Sequence, residues 1–167
     1  MTHVLLAMVA TASAQEAPRT ERFADWEVAC ASSVQIHQTS ASPQPMVDCQ
    51  VVQRLTAERG DDIVFAVTIV RSAQSAPVAI VSIPLGGYIV PGIELSVDGK
   101  KPYKLLIETC NAAGCHAGFS LSGRIDKELR SGKHANFRLW AAKDKPADVT
   151  VSLKGLADAL TRLERSS

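Results

Sequence analysis

The feature that most constrains the fold is a succession of short, Val- and Ile-rich runs, none of which lengthens into a helical stripe. DIVFAVTIVR (62–71), PVAIVSIP (77–84), IELSVDG (93–99), YKLLIET (103–109) and HAGFSLS (116–122) follow one another closely, separated by Gly, Pro, Asp and Ser. β-Branched residues in runs of this length fill a pleated, half-buried surface, and the punctuating residues supply turns. Upstream, FADWEVAC places Trp26, Val28 and Cys30 on one face at period two, which predicts a first strand over Phe23–Cys30. VDCQVVQRL predicts a second strand carrying Cys49, and ANFRLWAA (135–142) and DVTVSLKG (148–155) predict two more. The set predicts a mainly β chain, an antiparallel sandwich or barrel-like domain.

The interruptions are equally specific. ASSVQIHQTSASPQPM, rich in Ser, Gln and Pro, reads as a long surface loop between the first two strands. Asp98-Gly99 is a hairpin signal, because both residues accept the positive φ angles of a type I′ turn. RIDKELRSGK places Ile125 and Leu129 four apart, between Ser122 as a candidate N-cap and Gly132 as a candidate C-cap, and predicts one short internal helix. LADALTRLERSS carries Leu156, Leu160 and Leu163 at i, i+4 and i+7, the apolar stripe of a C-terminal helix that packs on the sheet.

The 167 residues are enough for one domain with a real core, expected over 23–165. Eighteen Lys and Arg are scattered among 17 Asp and Glu, so no basic stripe exists to attract nucleic acid or an anionic membrane. At the N-terminus an apolar run from Val4 to Ala10 precedes Ala12-Ser13-Ala14, an A-x-A pattern of the kind signal peptidase cuts. Residues 1–14 therefore read as a cleaved signal peptide, too short to span a bilayer, which takes roughly 20 apolar residues. The polar residues 15–22 are expected to be mobile, and no integral membrane segment is expected after cleavage.

Export decides how the cysteines are read. Cys30, Cys49, Cys110 and Cys115 all lie beyond the signal, and an even number in an oxidising compartment favours two disulfides. Three connectivities are possible. The sequential pairing, Cys30 with Cys49 and Cys110 with Cys115, is expected because each pair sits within or beside one apparent hairpin. The alternative is a periplasmic metal or thiol-redox centre built from Cys110, Cys115 and His116, with His37 or His134 as a further ligand. Against it, a redox dithiol usually takes a C-x-x-C at a helix N-terminus. An adjacent Cys-His pair on a strand also points its side chains to opposite faces.

Four stretches in order, DWEVAC, IPLGGYIVPGIELSVDG, ETCNAAGCHAGFSL and VSLKGLADALTRL, resemble the invasion-associated locus B family, small exported proteins of Gram-negative bacteria. The likeness runs from about Phe23 to Leu163. It implies a mainly β, periplasmic or outer-membrane-associated protein, linked in pathogenic members to host-cell entry and virulence, and it implies no catalytic residues and no cofactor.

Other chemical signals are weaker. GFSLS (118–122) approaches the G-x-S-x-G nucleophile elbow but lacks the last glycine and lies in strand-like alternation, so Ser120 reads as a strand serine. Asp61-Asp62 reads as a solvated turn before a strand. The strongest binding signal is PLGGYIVPGIEL, where Gly-Gly and Pro-Gly leave Tyr88, Ile89 and Val90 on a constrained connection able to present apolar surface. The expectation is a non-enzymatic exported β-domain that binds a protein or envelope component, with no metal and no nucleic acid.

Overall fold

A computed structural model describes residues 19–35, 44–57, 63–72 and 76–166. Among these residues eleven strands and two helices occur in the order β1 (Arg19–Phe23), β2 (Trp26–Gln35), β3 (Gln44–Thr56), β4 (Ile63–Val70), β5 (Val78–Ile83), β6 (Ile93–Val97), β7 (Tyr103–Leu105), β8 (Thr109–Asn111), β9 (Gly114–Ser120), α1 (Gly123–Ser131), β10 (His134–Ala142), β11 (Lys145–Ser152) and α2 (Leu156–Glu164). They form a seven-stranded sheet, β1-β2-β3-β4-β5-β9-β8, and a four-stranded sheet, β11-β10-β6-β7. Every pairing is antiparallel. Neither sheet closes on itself, so the fold is sandwich-like and not a barrel.

The core forms where alternate residues of the two sheets meet. From the large sheet come Trp26, Val28, Val51, Phe65, Val67, Ile69, Ala79, Val81 and Ala117; from the small sheet come Ile93, Leu95, Val97, Ala135, Phe137 and Val151. Phe65 of β4 and Phe137 of β10 meet with ring centroids 5.0 Å apart, a tilted pair that joins the sheets. The predicted stripe Leu156, Leu160 and Leu163 is fully buried, and α2 packs against β1, β2, β3 and α1. Arg162 pairs with Glu21 of β1 at 2.6 Å, and Arg130 of α1 pairs with Glu164 of α2 at 2.6 Å, pinning the helices at their exposed ends.

Several sequence expectations are redrawn. The first strand is two: Phe23 pairs with Trp26 across a two-residue turn, with Ala24 at φ 52°, a conformation its sequence does not announce. Part of the segment expected to be mobile, Arg19 to Arg22, belongs to β1 and pairs with β2. The long loop is shortened from both sides, because β2 runs to Gln35 and β3 starts at Gln44; residues 36–43 lie outside the described residues, as do the expected signal, residues 1–14, and Asp61-Asp62. YKLLIET divides between β7 of the small sheet and β8 of the large one. The α1 helix stands as predicted, although the Ser122 side chain makes no capping bond and Gly132 is extended instead of left-handed. Asp98 and Gly99 take φ 48° and 72°, and the Lys100 N–H donates to the Val97 carbonyl at 2.9 Å, the expected type I′ turn.

Candidate functional site

Cys30 and Cys49 face each other across β2 and β3 and are joined in a disulfide; Cys110 and Cys115 are joined across β8 and β9. Among the described residues no cysteine is free, and no group of three His, Cys, Asp or Glu is placed to hold a metal ion. Both sulfurs that a metal or redox centre at Cys110 and Cys115 would use are consumed, which argues against that alternative. His134 is exposed at the start of β10, and His37 lies outside the described residues.

His116 does sit on the face opposite the buried Cys115, where its Nδ1 lies 3.0 Å from the Ser82 Oγ of β5. Sequence reasoning gave no sign of this pair, because it depends on the β5–β9 register. Both residues lie mid-sheet, and Ser82 is registered with a neighbour on each side, Ala66 and His116. Its backbone N–H is thus committed to a ladder and cannot serve an oxyanion. Ser120 is four residues along β9 from His116, roughly 13 Å at strand rise.

The clasp at 110–115 acts on the connection between the sheets. Gly114 sits at φ +134°, and a methyl there would lie 2.4 Å from the Ile83 carbonyl oxygen, so the hairpin tip presses on the end of β5. Beyond β5 the chain crosses to the small sheet through residues 84–92, and it is held at three points. The Tyr88 N–H donates to the Trp140 carbonyl at 2.8 Å, and the Gly92 N–H donates to the Ile89 carbonyl at 3.0 Å. Gly92, at φ +78°, approaches so closely that a methyl would lie 2.3 Å from the Leu105 carbonyl oxygen and 3.7 Å from the Leu106 Cα.

This connection turns apolar side chains outward. Val90 is 76% exposed, Leu85 57% and Ile89 43%, while Tyr88 is half-buried. Leu106, 68% exposed, follows the end of β7 and adjoins Gly92. Val64 also is exposed, and the β4–β5 register, continued two residues past Ala66–Ser82, brings it alongside Pro84. The exposed large hydrophobics of the described residues thus gather on one rim, at the connection where the sequence points to Tyr88, Ile89 and Val90. Leu85, Leu106 and Val64 join them only through the fold.

The profile of the Invasion associated locus B (IalB) protein family matches residues 26–164, nearly the whole described fold. The chain belongs to the invasion associated locus B family. Its fold is also similar to the crystal structure of invasion associated protein B from Bartonella henselae. The TM-score is 0.70 and the sequence identity 25%, over 87% of this chain and 95% of that one. A search of curated protein sequences finds no match. Membership in this exported family agrees with the two disulfides, which form and persist outside the reducing cytoplasm. Among the described residues no helix is long and apolar enough to cross a membrane.

Proposed function

We infer that this chain is an exported, non-enzymatic β-domain, periplasmic or outer-membrane-associated, that binds a protein or envelope component through the rim formed by Tyr88, Ile89, Val90, Leu85 and Leu106. The supporting observation is the combination of high exposure with fixation. Val90 and Leu106 are more than half exposed, yet the connection carrying Val90 is bonded to Trp140 through Tyr88 and packs closely on Leu105 through Gly92, and the Cys110–Cys115 hairpin packs against the end of β5 from which it leaves. Preorganised apolar side chains bind at a small entropic cost, and a few such residues commonly carry most of an interface's energy. The reading extends to host-cell contact, in line with the family's description as invasion associated.

In-cell photocrosslinking tests it. A photoreactive residue at position 89 or 106 captures a defined partner, while the same residue at position 127, exposed on the far-facing α1 helix, does not. Equal capture from position 127, or none from 89 and 106, would sink the rim as the binding surface.

A further inference from the structure

A second surface, separate from the apolar rim, lies where β3 runs on past the β1–β2 turn. The β2–β3 ladder ends at Glu27–Val52, but β3 continues through Arg54, Leu55 and Thr56, leaving a notch. A cleft of about 600 Å³ opens there, with Asp25, Gln53 and Arg54 on one wall and Thr150 and Ser152 of β11 on the other.

Gln53 is the unusual member. It is 7% exposed, its Nε2 donates to the Asp25 carbonyl at 2.7 Å, and its Oε1 has no hydrogen-bond partner among the described residues. The carbonyl of Asp25 can only accept, so the amide orientation is fixed by chemistry and the empty position is the acceptor. A buried acceptor left empty is unfavourable, which marks a place where a donor from a ligand is gained at little cost.

The opposite wall supplies a row of backbone groups. Among the described residues β11 is an edge strand, paired only with β10. The Leu153 N–H donates to the Lys133 carbonyl, whereas the Ser152 carbonyl turns away from β10 and accepts the Trp26 Nε1 at 2.9 Å. In an antiparallel ladder this alternation recurs every second residue. Thr150 and Asp148 therefore direct both N–H and C=O away from β10, toward the open side. Pro146 has the same parity and no N–H to offer, the usual guard of an exposed edge, so the open stretch is short.

We propose that this notch binds an extended polypeptide segment, which adds as a strand to β11 at Asp148 and Thr150 and donates an amide N–H to Gln53 Oε1. Strand addition matches the chemistry of both walls, because only a peptide backbone supplies alternating donors and acceptors at strand spacing. Trp26 already occupies the Ser152 carbonyl and sets the end of the added strand.

The test titrates the protein with a capped hexapeptide of alternating threonine and valine, read by amide chemical shifts. Saturable shifts are expected at Asp148, Thr150 and the Gln53 side-chain amide. N-methylation of alternate peptide residues weakens binding about fivefold or more per lost bond. Thr150→Pro removes the outward N–H together with the hydroxyl's bond to Asn136 Oδ1 and weakens binding likewise, whereas Lys127→Ala, on the exposed face of α1 and away from the notch, binds as the parent does. Absent shifts, equal binding of the N-methylated peptide, or self-association through β11 without peptide overturns the proposal. Should Thr150→Pro not fold, the N-methyl comparison on the unaltered protein still decides.

Discussion

Asp98 does two things at one position. Its backbone takes the left-handed conformation that opens the type I′ turn, and its carboxylate accepts the N–H groups of Lys133, at 3.0 Å, and His134, at 2.9 Å. The turn after β6 is thereby fastened to the start of β10. These two backbone donors, His134 first and Lys133 second, hold the Asp98 carboxyl below its ordinary value. A group whose folded pKa is depressed adds stability above its unfolded value, near about 3.9, and loses it as pH falls through the lower folded value. An NMR titration is expected to place Asp98 below that ordinary value, with the Lys133 and His134 amides moving in step; a normal pKa would refute the fastening. Gly132 is constrained differently, since a methyl there would lie 2.5 Å from Val97 Cγ1 and 2.7 Å from the Glu128 carbonyl oxygen. Gly132→Ala is therefore expected to cost about 1–3 kcal/mol in urea denaturation, an overpacking penalty. The sequence suggested a glycine cap at this residue; the structure gives close packing as the reason.

Among the elements, the two clasps differ in what they restrain. In the chain-entropy view, closing the loop between Cys30 and Cys49 is worth about 3 kcal/mol, and closing the one between Cys110 and Cys115 about 2 kcal/mol. Paired Cys→Ala variants compared by denaturation should rank in that order, and a reversed ranking would mean that local fixation of the β8–β9 tip outweighs loop entropy. α2 is held by burial instead: Leu160→Ala, at a fully buried site, is expected to cost about 2–5 kcal/mol. This helix was legible in the sequence because Leu156, Leu160 and Leu163 repeat at a spacing that only a helix satisfies. YKLLIET was not, because a strand's period of two records which face is buried and says nothing of which sheet supplies the partner. Leu105 is buried in the small sheet and Thr109 pairs with His116 in the large one, so the chain changes sheets within seven residues that read as a single strand. The Ala24–Asp25 turn was hidden for a related reason, since alanine at positive φ carries no turn signal and the apolar alternation runs through it.

At the scale of the whole molecule, the rim exists only because two sheets share one connection. Gly-Gly and Pro-Gly marked residues 84–92 in the sequence as constrained, and that much of the candidate site was readable. Leu106 was not, since it reaches Gly92 only after the β6–β7 hairpin has returned the chain to the same end. Side chains that serve a partner and not the core should be removable without unfolding the domain, and here exposure separates the two roles. Ile89, Val90 and Leu106 project into solvent, while neighbouring Ile93 and Leu105 are buried. Replacing Ile89, Val90 and Leu106 together by serine is expected to change stability by no more than about 0.5 kcal/mol for each substitution, as at ordinary surface sites. The same replacement should abolish capture of the partner from a photoreactive residue at position 85. A large loss of stability would show instead that these side chains close the end of the sandwich, and unchanged capture would move the binding surface elsewhere on the molecule.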